Sequence, residues 1–172
     1  VGDVRDPGVL RTALEGAEAV FHLAAVVGVP RVLADPLRAI RVNVEGTERV
    51  LEACAERGIP VCVASSSEVY GKGVRWPAAE GDDLRLGPPS APRWAYAVSK
   101  LLDEHLAMAW ARRGLRVSVV RYFNVYGPRA DPHGYGYVVA RFMDQALRGE
   151  PLTVYGDGSQ TRSFIYVADA VE

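Results

Sequence analysis

The chain has 172 residues, of which 49% are hydrophobic and 24% are charged, a balance that predicts one globular unit with a substantial core. Its 20 basic and 21 acidic residues give a formal net charge of −1, so nothing in the charge balance favours nucleic acid or a membrane surface as a partner. The longest apolar run, 19–30, is interrupted by His22 and is too short to span a bilayer. Cys54 and Cys62 lack metal-ligand spacing, so we expect no metal site and a reducing, cytoplasmic location.

Short apolar runs alternate with helical patterns along the chain, which is typical of a parallel α/β sheet. A long segment without periodicity, 72–92, is expected at the surface. Both ends read as interrupted elements, so we expect the chain to be part of a longer one. The predicted elements in chain order are a strand at 19–25, a helix at 33–58, a strand at 59–71, a helix at 95–113, a strand at 116–129, a helix at 137–147 and a short strand at 151–156.

The segment RWAYAVSK, 93–100, places Tyr96 and Lys100 four positions apart in a predicted helix, where they share one face. A phenol with a pKa of about 10 is a poor base at neutral pH, but a nearby ammonium group lowers that pKa. The alternative is a solvated lysine beside a half-buried tyrosine. The preceding strand ends in SSSEVYG, where a serine hydroxyl could bind the substrate oxygen that Tyr96 deprotonates, or could serve only as a loop cap.

Seven motifs follow one another along the chain: GDVRD, FHLAA, NVEGT, SSSEVYG, YAVSK, RYFNVYGPR and GDGSQTRSFIYVAD. In this order and spacing they resemble the extended short-chain dehydrogenase/reductase family, specifically its nucleotide-sugar epimerases, dehydratases and decarboxylases. The resemblance implies a Rossmann-like, doubly wound parallel sheet that lacks its first βαβ unit, with part of a small C-terminal substrate domain. It implies a partial NAD-binding domain at 1–126 and the start of a nucleotide-sugar-binding region at 127–172.

The resemblance also implies roles for individual residues. Tyr96 would be the general base and acid, Lys100 would hold the nicotinamide ribose, and Ser66 would bind the sugar C4 hydroxyl. Glu68 would be either a solvated loop acid or a residue that assists chemistry at C5 or decarboxylation. The other implied cofactor contacts are Asp3, Val4, Leu23, Ala24, Ala25, Asn43, Ser65, Tyr122 and Phe123. The other implied substrate contacts are Ser67, Asn124 and Arg162. For Asn43 a purely structural bond is an equal alternative, and for Arg162 the alternative is a surface salt bridge.

The implied chemistry begins with oxidation at C4, in which Tyr96 takes the hydroxyl proton while hydride passes to NAD. We expect 4-epimerisation of a UDP-hexose or UDP-hexuronate, because this needs only rotation of the keto sugar and return of the hydride. The adjacent Ser67 and Glu68 favour UDP-glucuronate decarboxylation as the alternative, although YAVSK lacks the Glu-Gly that usually precedes the lysine in such decarboxylases. A 4,6-dehydratase is disfavoured because Ser67 stands where those enzymes have an aspartate. A non-catalytic NAD(P)-sensing module is disfavoured because both Tyr96 and Lys100 are present.

The cofactor and partner expectations follow from the same resemblance. The glycine-rich fingerprint that sets a dinucleotide diphosphate on a helix N-terminus is absent from the chain, so NAD rather than NADP is implied by the resemblance alone. The expected substrate is a UDP-sugar. The two long predicted helices are the candidates for a four-helix interface in a homodimer.

Overall fold

The computed structural model describes residues 1–73, 75–132 and 138–172. These residues form two compact units, Val1–Arg121 and Tyr122–Glu172. Within the described ranges, no helix is both long and apolar enough to cross a membrane.

The first unit is an α/β layer structure, as the sequence predicts. Its sheet has the strand order β1-β2-β3, and β1 pairs with β2 in parallel so that Val20 lies opposite Val61 and His22 opposite Val63. The strands are β1 (Val20–His22), β2 (Val61–Ser66) and β3 (Val117–Tyr122). The helices are α1 (Pro7–Ala13), α2 (Val29–Ala34), α3 (Pro36–Arg57) and α4 (Trp94–Ala111), and a short 3-10 turn (Ser67–Tyr70) follows β2.

The core of this unit lies between the sheet and its helices. Strand β2 alternates buried and partly buried side chains along its length, as expected when one face of a strand packs on a core. Helix α3 packs against α4 and contributes apolar residues about one turn apart. The fully buried members of the core include Leu51, Cys54, Val63 and Ala107.

The sequence predicts one helix at 33–58, but the structure has two, separated at Asp35. Pro36 disfavours helical backbone at the residue before it, and Asp35 accordingly has φ −149° and ψ 82°. The Asp35 carboxylate then caps α3 by accepting a hydrogen bond from the backbone N–H of Arg38 at 2.9 Å. The predicted end of the helix is confirmed, since Gly58 is its C-cap with φ 66°.

The second unit contains the parallel pair β4 (Asn124–Tyr126) and β5 (Phe164–Tyr166), with α5 (Val138–Leu147) and α6 (Val167–Val171). The predicted strand at 116–129 is therefore wrong in one respect, because it is divided into β3 and β4, which lie in different sheets. Strand β5 was not predicted from the sequence. The first residue of the predicted helix at 137–147 lies outside the described residues.

The predicted strand at 151–156 is wrong. The backbone N–H of Thr153 donates to Gln145 Oε1 of α5 at 3.1 Å, and Gln145 Nε2 donates to Thr153 Oγ1 at 2.8 Å. Gln160 Nε2 donates to the Tyr155 carbonyl at 2.8 Å. These side chains take up backbone groups that a strand would use for pairing, so the apolar alternation of this segment does not produce a ladder.

Shortening Leu51 to alanine should destabilise the full-length protein by about 3 kcal/mol, because Leu51 is fully buried and the substitution leaves a cavity. Leu147→Ala is the matched control, since this leucine is 85% exposed and its truncation should change the free energy of unfolding by less than about 0.5 kcal/mol. Urea unfolding followed by circular dichroism measures both. Equal effects of the two substitutions would contradict this placement of the core.

Candidate active site

The three serines at the end of β2 have different surroundings because successive side chains of a strand point to opposite faces. Ser65 is buried, and its hydroxyl donates to Glu104. Ser66 is half-buried on the other face, and its Oγ accepts a hydrogen bond from the backbone N–H of Glu68 at 3.2 Å. Ser67 begins the 3-10 turn. Only Ser66 therefore combines the strand end with a hydroxyl directed away from the core.

Ser66 and Tyr96 are brought together by the structure. Tyr96 lies in the first turn of α4, and its phenol is close enough to the Ser66 side chain for the Ser66 hydroxyl to act on the pKa of Tyr96. Burial raises the pKa of Tyr96, the nearby Ser66 hydroxyl partly offsets this, and the negative charges of Glu68 and Asp103 raise it further. The direction is opposite to the one that the sequence analysis expects from a lysine near a phenol.

The main reason for this difference is the burial of the phenol, and the Lys100 charge on which the expectation relied is paired with a carboxylate. The Lys100 ammonium group is buried, donating to the carbonyl oxygen of Ala64 at 2.9 Å and to Asp103 Oδ2 at 3.2 Å. Lys100 lies one helical turn after Tyr96, as the spacing predicts, but its positive charge faces a carboxylate of its own helix. Asp103 was not predicted as a site residue, although a carboxylate three positions after a lysine on a helix is a recognisable pairing signal.

Glu68 lies in the 3-10 turn beside this group. Its Oε2 is 3.7 Å from Arg93 Nη2, with side chains that are 42% and 53% exposed respectively. Arg93 is the N-cap of α4 and stacks on the ring of Trp94 at 4.6 Å. The carboxylate is thus close enough to Tyr96 to raise its pKa and is still accessible to solvent.

Asn43 connects the loop after β1 with the turn of α4 that carries Tyr96. Asn43 Oδ1 accepts from the Val26 N–H at 2.7 Å, and Nδ2 donates to the Val26 carbonyl at 3.3 Å and to Ser99 Oγ at 3.0 Å. Ser99 in turn donates to the Tyr96 carbonyl at 2.8 Å. These bonds occupy the amide group of this fully buried side chain, which is the arrangement that the structural alternative for Asn43 expects. The loop that it fixes contains the predicted cofactor contacts Leu23, Ala24 and Ala25.

The predicted adenine contacts lie in the loop before α1. The Asp3 carboxylate accepts hydrogen bonds from Arg5 Nε at 3.0 Å and Nη2 at 2.6 Å, and these bonds lower the pKa of Asp3 to about 2. Val4 packs against Gly46 of α3, where an added Cβ would lie 2.7 Å from Val4 Cγ2. The absence of a side chain at Gly46 thus allows this loop to approach the helix closely.

The remaining predicted site residues belong to the second unit. Asn124 Nδ2 donates to the Ser163 carbonyl at 2.8 Å, and Asn124 lines a cavity of about 530 Å³ together with residues of β4, α5 and β5. Arg162 is exposed and donates to the Thr161 carbonyl at 2.7 Å. Tyr122 is half-buried and Phe123 is 40% exposed.

A partly buried ion pair lies beside Ser65 at the end of β2. Arg121 of β3 donates to Glu104 through Nε at 2.9 Å and Nη2 at 2.7 Å. Burial raises the pKa of Glu104, but the hydrogen bonds from Arg121 and Ser65 outweigh it and hold that pKa below its usual value. This pair was not predicted from the sequence. The signal available was a glutamate four positions after Lys100, on the face that packs on the sheet.

Comparison with known proteins agrees with this fold. The model of the NAD dependent epimerase/dehydratase family matches residues 1–172. The chain belongs to this enzyme family, which confirms the family predicted from the motifs and its NAD dependence.

Three similar proteins illustrate the activities represented among the relatives. The chain is 48% identical over 155 residues to the UDP-N-acetyl-alpha-D-glucosaminuronate decarboxylase of Bacillus cytotoxicus, covering 90% of this chain and 48% of that protein. It is 32% identical to the UDP-glucose 4-epimerase of Thermotoga maritima solved with UDP-glucose, with a TM-score of 0.89, covering 99% of this chain and 55% of that one. It is 40% identical to MoeE5 in complex with UDP-glucuronic acid and NAD, with a TM-score of 0.80 and the same two coverages. The chain thus spans about half the length of these relatives.

Replacing Glu104 by glutamine should destabilise the full-length protein by on the order of 2 kcal/mol at neutral pH, because it leaves the Arg121 guanidinium without its charged partner. The pKa of Glu104 is lowered on folding, so its charge stabilises the native state above the unfolded pKa, and this contribution is lost as pH falls through the folded value. The difference between wild type and variant should therefore narrow below about pH 4.5. Urea titrations at several pH values measure it, with the exposed Glu48→Gln as control; a difference independent of pH would contradict this assignment.

Proposed function

We propose that the full-length protein converts a UDP-sugar through a 4-keto intermediate with NAD as cofactor, and that the outcome is 4-epimerisation of a UDP-hexose or UDP-hexuronate. The observation that carries the proposal is the proximity of the Ser66 hydroxyl to the Tyr96 phenol at the end of β2, where it acts to lower the pKa of Tyr96, with the Lys100 ammonium one helical turn away. Residues 1–126 would hold the cofactor, and residues 127–172 would begin the nucleotide-sugar-binding region.

The chemistry of the donor groups fits NAD. An ammonium group has three N–H donors, and Lys100 uses two of them, on Ala64 and Asp103, so one remains for a ribose hydroxyl. Asp3 Oδ1 accepts from the backbone N–H and Nε of Arg5, whereas Oδ2 accepts only from Arg5 Nη2 and keeps a lone pair for an adenine amino group. Bound NAD would supply the acceptor and donor of hydride at C4.

The residues of the chain handle the proton and the orientation of the sugar. Ser66 would donate a hydrogen bond to the C4 oxygen, and Tyr96 would remove the proton from that oxygen as its phenolate. After the keto sugar has rotated, Tyr96 would return the proton. Epimerisation needs no further acid or base, and these residues are sufficient for it.

Decarboxylation of a UDP-hexuronate is the second candidate, and Glu68 is the observation that favours it. The carboxylate lies close enough to influence Tyr96 and remains partly accessible, so it could assist loss of carbon dioxide from a 4-keto uronate. The 48% identity to a uronate decarboxylase supports the same reading. A 4,6-dehydratase is the weaker alternative, because Ser67 supplies no carboxylic acid beside Glu68.

We further propose a cytoplasmic homodimer joined through α3 and α4. Both helices expose apolar side chains at helical spacing, including Leu37 and Ile40 on α3 and Val98 and Leu102 on α4. Burying such surfaces between two copies of the chain would form a four-helix interface.

Tyr96→Phe should abolish turnover in the full-length protein, since the substitution removes the phenol that exchanges the C4 proton while keeping the ring. Binding of the UDP-sugar should change little, and isothermal titration calorimetry measures it. The exposed Tyr155 provides the matched control, and Tyr155→Phe should retain activity. Unchanged turnover in Tyr96→Phe would contradict the proposed role of Tyr96 as the base.

The two candidate outcomes are separated by incubating the full-length protein with NAD and, in parallel, UDP-glucose and UDP-glucuronate. Epimerisation gives a product of unchanged mass with an inverted configuration at C4, whereas decarboxylation gives a UDP-pentose and carbon dioxide. Mass spectrometry and proton NMR distinguish these products. If the pentose forms, Glu68→Gln should reduce its rate of formation, and Glu48→Gln should not.

A further inference from the structure

Lys100 and Asp103 form an ion pair in the interior of the first unit. Their side chains are 4% and 0% exposed, and 3.2 Å separates Nζ from Oδ2. The other carboxylate oxygen, Oδ1, has no hydrogen-bond partner among the described residues. A buried carboxylate is costly unless it is paired and hydrogen-bonded, so one that is only partly satisfied beside a predicted catalytic lysine calls for an explanation.

The pair is enclosed by groups from three elements. Thr47 of α3 stabilises the ionised form of Asp103, and Thr47 Oγ1 lies 3.0 Å from Nε2 of His22 on β1. Burial lowers the pKa of His22 to about 4, with a smaller contribution from the charge of Lys100, so His22 is neutral at physiological pH. The titratable groups that face the pair from α4 and β1 are Tyr96, Glu104 and His22.

Asp103 affects both members of the proposed catalytic pair. Burial raises the pKa of Asp103 to about 6, although the charge of Lys100 opposes this, so Asp103 is ionised at neutral pH. Its negative charge in turn raises the pKa of Tyr96. A carboxylate 3.2 Å from an ammonium group also weakens the field of that ammonium at a third group, because the two charges have opposite signs.

We propose that Asp103 is a positioning residue for Lys100: its buried carboxylate orients the ammonium group and offsets part of the positive charge that reaches Tyr96. The inference rests on the proposed function, since it assigns Lys100 and Tyr96 their catalytic roles. It adds a residue whose charge sets the pH range in which Tyr96 can act as a base. Asp103 itself does not touch the reacting atoms.

The direct test is to measure the ionisation of Tyr96 in the full-length protein by NMR with tyrosine labelled at the ring carbon that bears the hydroxyl. The Tyr96 resonance is assigned from its loss in Tyr96→Phe. Asp103→Asn should lower the pKa of Tyr96 by on the order of one unit, because the opposing negative charge is removed. Glu48→Gln, which removes an exposed carboxylate from α3, should leave that pKa unchanged. An unchanged or raised Tyr96 pKa in Asp103→Asn would overturn the proposal.

A measurement on the wild-type protein covers the case in which Asp103→Asn does not fold. With aspartate labelled at its carboxyl carbon, Asp103 should titrate near pH 6, and the Tyr96 resonance should shift over the same pH interval. His105→Gln removes the histidine that follows Glu104 in the chain and should preserve this shift. An Asp103 that titrates near pH 4, or a Tyr96 resonance that does not respond, would contradict the proposal.

Turnover provides the functional readout. In Asp103→Asn the acidic limb of the kcat/KM profile should move to lower pH by the same amount as the Tyr96 pKa, whereas a purely structural role would lower kcat/KM without moving the limb. The dissociation constant for NAD, measured by calorimetry, should rise several-fold as the ammonium group loses its orientation. If wild-type protein shows the coupled titration but converts no UDP-sugar, the proposed function fails while the link between Asp103 and Tyr96 stands. If UDP-sugar is converted without coupling, only the role of Asp103 fails.

Discussion

The end of β2 is the constraint on which the arrangement of the first unit depends, because three consecutive residues there bind α4. The Ala64 carbonyl accepts the Lys100 ammonium, the Ser65 hydroxyl reaches Glu104, and Ser66 meets Tyr96. Backbone and alternating side chains of one strand thus fix successive turns of one helix. This attachment explains why the serine run and the YAVSK motif, which are separated by a long irregular segment, form a single group.

Burial of the phenol and the pairing of Lys100 with Asp103 both oppose the lowering of the Tyr96 pKa that a nearby lysine would cause. A lysine one turn from a tyrosine lowers the phenol pKa only insofar as its charge is not compensated. Here the ammonium group is sequestered between a carbonyl oxygen and a carboxylate, and the phenol is largely removed from water. The net result is a raised pKa of Tyr96, because the charges of Glu68 and Asp103 act in the same direction as burial.

The sequence was sufficient for the elements whose patterns are local, and insufficient where side chains from distant parts of the chain compete. The long amphipathic helices, the strands before the serine run and the family could be predicted from periodicity and motifs. The break at Asp35 could be anticipated only by giving Pro36 more weight than the apolar spacing around it. Apolar and polar residues alternate around Thr153 as in a strand, yet the backbone N–H of Thr153 hydrogen-bonds to the Gln145 side chain of α5. No local pattern indicates such a contact.

The residues of the candidate site also differ in whether a local sequence pattern is enough to predict them. Ser66, Tyr96 and Lys100 lie in motifs whose spacing is visible in the sequence, and the structure brings the first two together. The separate surroundings of Ser65 and Ser66 follow from strand alternation once the strand boundaries are known. The carboxylate of Asp103 could not be placed without the fold, because its position between Lys100 and Thr47 depends on how α3 packs against α4.

The contact between Gly46 and Val4 has a consequence for engineering. Because Gly46 has no side chain, the loop that carries Val4 and Asp3 packs directly on the backbone of α3. The helix therefore determines how closely this loop can approach. Even a methyl group at position 46 would have to displace Val4, and Asp3 would move with it. A substitution at position 46 would therefore alter the placement of Asp3, a predicted adenine contact, through Val4 and without touching Asp3 itself.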